Sequence, residues 1–448
     1  MEKEEIRKQM MGLWKENFHD SEGYIRLVFD QYFDLDNIEY EERDGQIVAS
    51  LLAIPYQFGN GNYAITGAYL CGLSTQNKYR GEGIMTDLLY RIEKKMRAKG
   101  FAFMFLIPAD KGLNRYYTDR GFINGFYRTY LHYTSIHDFK RDYFSTISKE
   151  EKRLFEVKKR YFDGLLVEEI NDLSGLSEAK IFEELIGFIE GCQRQQKGLS
   201  LYQTYQQIST FLTETVLSGG RIMVGRNSEG EIAGLSLYTQ SETELREIGR
   251  YALNYGVLCK LRESVLLLGG GRNLTVIQYG YEKSLDSTEI WNPMYSAFLP
   301  TADQVGAVGI IERTYNPNSH SEIYGMVRIL SISEILKFLS RWRRDLKYSI
   351  LMRQENGEEI FRFSSKNGQL EIQEVINNSN SKDGEILENA GNKNRKIVHI
   401  KDSSGYDKIV LSERDLGEIL FRRPGSDRLI EEAFGLPALN GKISLLLD

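Results

Sequence analysis

Between Tyr69 and Phe122 the chain follows an order that few folds accommodate. An apolar strand runs into Lys78-Tyr79-Arg80-Gly81-Glu82-Gly83, then an amphipathic helix, a second apolar strand and a Tyr-rich turn ending in Gly121-Phe122. Two glycines at a strand-to-helix junction let backbone N–H groups point at an anion, and the helix dipole adds a partial positive charge there. The stretch reads as a pyrophosphate cradle followed by a tyrosine able to donate a proton. After Gly83, the residues Met85, Leu88, Leu89, Ile92 and Met96 recur at helical spacing on one face, and Gly100 is placed to end that helix. The run FAFMFLI beyond it is apolar throughout, as a strand buried on both faces requires.

The flanking sequence extends this pattern. Asp20-Ser21 offers a helix N-cap and divides the start of the chain into two helices, near residues 3–18 and 21–33. Asp44-Gly45 lies between two alternating runs and predicts a hairpin; Gly59-Asn60-Gly61-Asn62 marks the next turn. Further on, Glu229-Gly230-Glu231-Ile232-Ala233 echoes Asp44-Gly45-Gln46-Ile47-Val48, a short hint of duplication. Gly269-Gly270-Gly271-Arg272 precedes a strand-like run, not a helix, and reads as a tight turn. A capping box at Ser331–Glu334 predicts a helix over Glu334–Arg344, and Asn356-Gly357 and Asn367-Gly368 predict hairpins. Residues 377–395 are polar enough for a loop, and LSERDLGEILFR reads as a late helix.

Composition narrows the function classes. At 448 residues the chain exceeds one ordinary core, and 41% hydrophobic with 27% charged residues is globular. A net charge of −6 argues against broad nucleic-acid binding and suits cationic or amine substrates. Three scattered cysteines fit a reducing compartment, the charged N-terminus lacks a signal-peptide core, and no apolar run reaches the roughly 18 residues of a membrane span. The expectation is a soluble, cytoplasmic protein. The five histidines show no metal-ligand spacing and the cysteines form no CxxC, so no metal is expected.

The order strand, GxG cradle, helix, strand, Tyr-containing helix and Gly-Phe resembles the GNAT superfamily of acetyl-CoA-dependent N-acetyltransferases. Lys78 stands where that family usually has Gln or Arg. The layout of the whole chain resembles the Eis-type (enhanced intracellular survival) acetyltransferases. The resemblance implies a mixed α/β (α+β) fold: two tandem GNAT-like mixed-sheet domains, residues 1–140 catalytic and 141–315 without a cofactor motif. A sterol-carrier-protein-like α/β domain over 316–448 follows them.

The resemblance also implies roles. Tyr79, Arg80, Gly81, Glu82, Gly83 and Ile84 would present N–H groups to the pyrophosphate of acetyl-CoA. Cys71, Gly72 and Leu73 would line the pantetheine arm, although the same three residues also suit a plain core strand. Tyr117 matches the family's general acid, with adjacent Tyr116 as its competitor. The base would be the C-terminal α-carboxylate of Asp448, whose side chain offers a second carboxylate. The expected partner is a small-molecule amine or a lysine-containing peptide, with no nucleic acid or membrane, and with a homo-hexamer implied by the family. Two functions stay open: direct acetyl transfer from acetyl-CoA to a primary amine, and a non-catalytic acyl-CoA or lipid binding protein on the same scaffold.

Overall fold

The computed structural model describes residues 1–60, 63–133, 164–170, 180–195, 199–268, 272–279, 318–342, 349–353, 359–366, 369–374, 398–401, 407–411, 417–418 and 420–421. They divide into two compact units. The first takes the described residues of Met1–Phe58, Tyr63–Phe126 and Ile323–Gly441; the second takes Gly59, Asn60 and the described residues of Tyr127–Glu322.

Helices α1 (Lys3–Phe18) and α2 (Glu22–Tyr32) open the first unit. Ser21 caps α2, its Oγ accepting the Tyr24 N–H at 3.2 Å. Asp20, the other cap candidate, instead accepts the Trp14 indole N–H at 2.7 Å. Strands β1 (Ile38–Arg43) and β2 (Gln46–Asn60) form the expected antiparallel hairpin. Asp44 and Gly45 take φ of 51° and 76°, the primed-turn conformation a two-residue connection needs. Then come β3 (Tyr63–Thr75), α3 (Ile84–Ala98), β4 (Phe103–Leu106), α4 (Leu113–Thr118) and β5 (Ile123–Tyr133). Because β4 runs parallel to β3, a crossover must join them, and α3 is that crossover.

The apolar face of α3 is buried as its spacing predicts: Leu88, Leu89, Ile92 and Met96 pack with Ala68, Leu70, Met104 and Leu106 in one core. Gly100 (φ 78°) ends the helix in a Schellman motif, with its N–H on Arg97 O at 3.0 Å and the Phe101 N–H on Met96 O at 3.1 Å. Alternation along β4 sends Phe103 and Phe105 to the other face. There they meet Phe58 and Phe126 at centroid separations of 4.9 to 5.5 Å.

Midway along β3, Gly72 adopts φ 61°. A Cβ built there would lie 2.5 Å from the Trp14 ring, which packs in turn on Phe18, Tyr24 and Phe29. Only glycine satisfies both the backbone conformation and the close approach of α1.

The second unit contains β6 (Leu166–Ile170), α5 (Lys180–Arg194), β7 (Leu201–Tyr202), α6 (Tyr205–Leu217), β8 (Arg221–Arg226), β9 (Ile232–Gln240), β10 (Glu244–Ala252), α7 (Tyr255–Leu268) and β11 (Asn273–Tyr279). Strands β8, β9 and β10 are antiparallel neighbours, and β11 lies parallel to β10 after the α7 crossover. This repeats the β-β-β-α-β order of β1–β4, so the duplication hinted at by the short echo is present in the topology. The turn types differ. Residues 227–231 form a longer loop held by Asn227 Oδ1, which accepts from the N–H groups of Glu229 and Glu231 at 3.0 and 2.9 Å. Gly269-Gly270-Gly271 falls outside the described residues.

In this unit Glu247 is buried on β10 and grips Arg262 of α7 through two hydrogen bonds of 2.8 and 2.9 Å, with Arg250 at 2.8 Å. Burial by itself would raise its pKa, but the two guanidinium groups prevail and hold it down at about 2.

Strand β12 (Asn318–Ile329) enters the first unit beside β4, antiparallel, with Met326 opposite Leu106 and Ile329 opposite Phe103. The strand order there is β1-β2-β3-β4-β12, which gives the wholly apolar β4 a neighbour on each edge. Helix α8 (Ile332–Trp342) starts two residues earlier than the sequence suggests. Ser331 Oγ accepts the Glu334 N–H at 3.4 Å, but the Glu334 carboxylate turns to Lys337 at 2.7 Å, so the capping box closes on one side only. Strands β13 (Ser349–Arg353), β14 (Glu359–Lys366), β15 (Gln369–Glu374), β16 (Val398–Lys401) and β17 (Asp407–Leu411) build a five-stranded sheet in the order β15-β14-β13-β17-β16. Lys366 pairs with Gln369, the register that a hairpin at Asn367-Gly368 requires.

Two stability predictions follow from these contacts. Gly72→Ala should cost about 1–2 kcal/mol for the left-handed backbone and about 1–3 kcal/mol more for overpacking against Trp14. Gly81→Ala, where a Cβ would meet nothing within 4 Å, should cost only the backbone part. Equal shifts in urea midpoint for the two variants would contradict the Trp14 wedge. At Glu247 the folded pKa is depressed, so its stabilisation is complete above about 4.5 and is lost as pH falls toward about 2. Glu247→Gln should destabilise the protein at neutral pH by about 3–5 kcal/mol, because it strands the buried Arg262. It should also flatten the acid dependence of unfolding across that window, and parallel wild-type and variant pH curves would refute the pairing.

Candidate active site

Strands β3 and β4 stay paired only briefly. Their parallel ladder matches Gly67 with Phe103, Ala68 with Met104 and Tyr69 with Phe105, and goes no further. Cys71, Gly72 and Leu73 lie past its end, so the β4-facing edge of β3 has lost its ladder partner there. Such an edge is a ready acceptor and donor row for an extended ligand. The Cys71 thiol is buried, and burial pushes its pKa well above the usual thiol range, so it stays protonated and unreactive. On the same strand, Ser74 Oγ donates to Gly72 O at 3.2 Å.

The cradle begins as a single 3₁₀ turn over Asn77–Tyr79. Two of the N–H groups expected to face an anion are already committed: Tyr79 donates to Gln76 O at 2.9 Å and Arg80 to Asn77 O at 3.3 Å. The N–H groups of Gly81, Glu82, Gly83 and Ile84 donate to no other described residue. Gly81 and Gly83 hold φ of 88° and 83°, and a Cβ on either would enter open space. Gly83 is also the N-cap of α3 and supplies no side chain to satisfy the helix end. The set therefore fits an anion at a helix N-terminus. At the equivalent start of α7, Asn254 Oδ1 accepts the Val257 N–H at 3.0 Å, so that helix end is capped by its own side chain.

Charge around the cradle is balanced by a residue that the sequence reading missed. Arg43, at the end of β1, meets Glu82 at 2.7 Å and lies 4.9 Å from the Tyr79 ring centroid, with Lys78 Nζ at 4.7 Å from the same ring. Glu82 would otherwise repel a phosphate. Arg80 reaches back to Thr75 O at 3.2 Å and to Asn17 Oδ1 at 2.7 Å, tying the cradle to α1. The chain separates Arg43 from Glu82 by a hairpin and a strand, and no local motif links them.

The two tyrosines of α4 occupy different surroundings. Tyr117 is 8% exposed, and its ring stands edge-on to Phe122 at 5.7 Å and to Tyr116 at 5.2 Å. Its hydroxyl makes no hydrogen bond to another described residue. Burial, with a smaller push from Tyr116, raises its pKa to about 12 against the opposing pull of Arg120, so the phenol keeps its proton at physiological pH. Tyr116 is held differently. The Arg120 guanidinium stacks 3.5 Å from its ring centroid and also bonds Thr86 Oγ1 at 2.7 and 3.0 Å. One tyrosine is thus a buried, protonated phenol, and the other is held through Arg120 to the first turn of α3.

Asp448, the expected base, lies outside the described residues. Among the described residues no group of three or more His, Cys, Asp or Glu side chains is placed to hold a metal ion, and no helix is long and apolar enough to cross a membrane.

An anion cradle, a strand edge released from its neighbour and a protonated phenol thus come from consecutive elements of one unit. Residues 1–123 match the family model described as acetyltransferase (GNAT) domain. No curated protein matches the chain. Among solved structures, a probable N-acyltransferase of unknown function from Enterococcus faecalis V583 is similar over 99% of this chain and 98% of its own, with a TM-score of 0.64 at 12% identity. A GCN5-related N-acetyltransferase from Kribbella flavida has a TM-score of 0.59 at 14% identity, covering 100% of this chain and 96% of its own. Eis1 from Mycobacterium abscessus has a TM-score of 0.54 at 11% identity, covering 96% of this chain and 90% of its own. Identities this low speak to fold, while the family model speaks to the N-terminal domain itself. Residues 1–123 thus match a GNAT acetyltransferase domain, and the fold of the chain as a whole is similar to those of Eis1 and the GCN5-related N-acetyltransferase.

Proposed function

We propose that the chain moves an acetyl group from acetyl-CoA directly to a primary amine on a small molecule or a lysine side chain. The observation that carries this reading is the row of N–H groups from Gly81 to Ile84, at the start of α3, that donate to no other described residue. Acetyl-CoA would bring an activated thioester; the chain's residues must orient it, polarise its carbonyl and manage two protons. Gly81, Glu82, Gly83 and Ile84 would hold the pyrophosphate. Tyr79 and Arg80, whose N–H groups are committed to the turn, would shape the cradle. The freed edge at Cys71, Gly72 and Leu73 would align the pantetheine arm and aim an N–H at the carbonyl oxygen.

Tyr117 is suited to give its proton to the departing thiolate, because its raised pKa keeps the hydroxyl loaded. The amine must also shed a proton, since at a pKa of about 10 it is neutral only about once in a thousand at pH 7. The α-carboxylate of Asp448 is assigned that task through the resemblance to Eis-type enzymes. A domain division at residues 140 and 315 belongs to the same proposal, as does a hexameric assembly.

The test is CoA release from acetyl-CoA with a panel of polyamines and aminoglycosides. Tyr117→Phe should lower turnover by about 10²–10⁴-fold and leave acetyl-CoA affinity unchanged. Removal of Leu446–Asp448 should depress turnover with no change in melting temperature. Binding of acetyl-CoA without release on any amine would instead make the chain a binding protein.

A further inference from the structure

Strand β12 contributes more to the first unit than an edge for β4. Arg328, opposite Met104 in the β12–β4 register, sends its guanidinium to the turn that follows α4. One Nη donates to the Arg120 carbonyl, and the other lies 2.7 Å from Glu93 Oε2. The same group covers Gly121 so closely that a Cβ there would sit 3.0 Å from Nη1, and Gly121 holds φ 82°. Glu93 belongs to the buried face of α3, where an unpaired carboxylate would be costly. It is paired twice, because Arg97 Nε donates to its Oε1 at 3.0 Å. Arg97 in turn donates to Ile329 O at 3.2 Å and to Leu330 O. A buried acid on α3 thus aims Arg328, and the carbonyls at the end of β12 fix the second arginine.

Helix α4 spans only Leu113–Thr118, too short to hold its own shape. Its last carbonyls accept from N–H groups of the following turn, and Arg328 bonds that turn two residues beyond the helix, at the Arg120 carbonyl, where a cation also complements the dipole. The Arg120 N–H closes on Tyr117 O at 2.9 Å, so a shift of Arg120 moves Tyr117 with it. Arg120 is held on both sides, by Arg328 at its carbonyl and by Thr86 at its guanidinium.

We propose that Arg328, oriented by Glu93, is a positioning residue for the proton donor: it fixes the Tyr117 turn against α3. The inference rests on the role given to Tyr117 above. It makes β12, whose Arg328 lies 208 positions after Arg120 in the chain, part of the acid's alignment.

Steady-state kinetics on the full chain decide it, using Arg328→Gln, Arg328→Lys, Tyr117→Phe and the Tyr117→Phe/Arg328→Gln double variant. Arg328→Gln should lower kcat by about 10²-fold, the scale of a misplacement near 1 Å. The KM for acetyl-CoA should stay within about twofold, and Arg328→Lys should recover part of the lost kcat. In the Tyr117→Phe background the Arg328 substitution should cost nothing further, because the group it aligns is gone. An unchanged kcat in Arg328→Gln, or the same loss in both backgrounds, would overturn the proposal. Should Arg328→Gln not fold, Arg328→Lys in the two backgrounds makes the same comparison. Full activity in Tyr117→Phe would instead sink the proton-donor assignment itself, an outcome distinct from an inert Arg328.

Discussion

The first unit is organised by the place where β3 and β4 part. Parallel strands pair by default along their whole length, yet this ladder ends at Tyr69–Phe105. Just beyond it, Gly72 takes a left-handed conformation with the Trp14 ring pressed on its face. Past that point the β4-facing edge of β3 has no ladder partner, and the strand runs on through Thr75 toward the Gly81–Gly83 turn at the start of α3. A regular strand at this point would remain part of the sheet and offer nothing to a ligand.

The second unit repeats the topology with a different start to its crossover helix. It keeps three antiparallel strands, a crossover helix and a parallel fourth strand. The start of α7 is closed by the Asn254 side chain, whereas the start of α3 is left open by Gly83. Within the same β-α-β crossover, Arg262 and Arg250 are committed to the buried Glu247, and their charge is spent on stability. Among the described residues, that cap is one difference between the starts of the two crossover helices.

Much of the first unit was legible in the sequence because the signals are local. The Asp44-Gly45 turn, the apolar face of α3, its glycine stop and the cradle glycines each depend on residues within one or two turns of each other. The duplication was visible only as a faint echo, since topology survives where turn chemistry changes. The charged supports could not be read. Arg43 on Glu82, Arg120 on Thr86 and Arg328 on Glu93 join distant segments, and a lone arginine carries no mark of its partner. Glu93 lies on a face whose apolar spacing gives no cue that a carboxylate is buried there. The commitment of the Tyr79 and Arg80 N–H groups to the 3₁₀ turn depends on backbone conformation, which no side chain in that stretch announces.

The central proposal is that, of the two related crossover units, the one with the open Gly81–Ile84 helix start holds acetyl-CoA. Equilibrium titration of the intact wild-type chain with acetyl-CoA tests it most directly, with hydrogen exchange locating the protected amides. One molecule should bind per chain, slowing exchange at Gly81 to Ile84 and leaving the start of α7 unchanged. Two molecules per chain, or protection at Asn254–Val257 in place of the cradle, would contradict it.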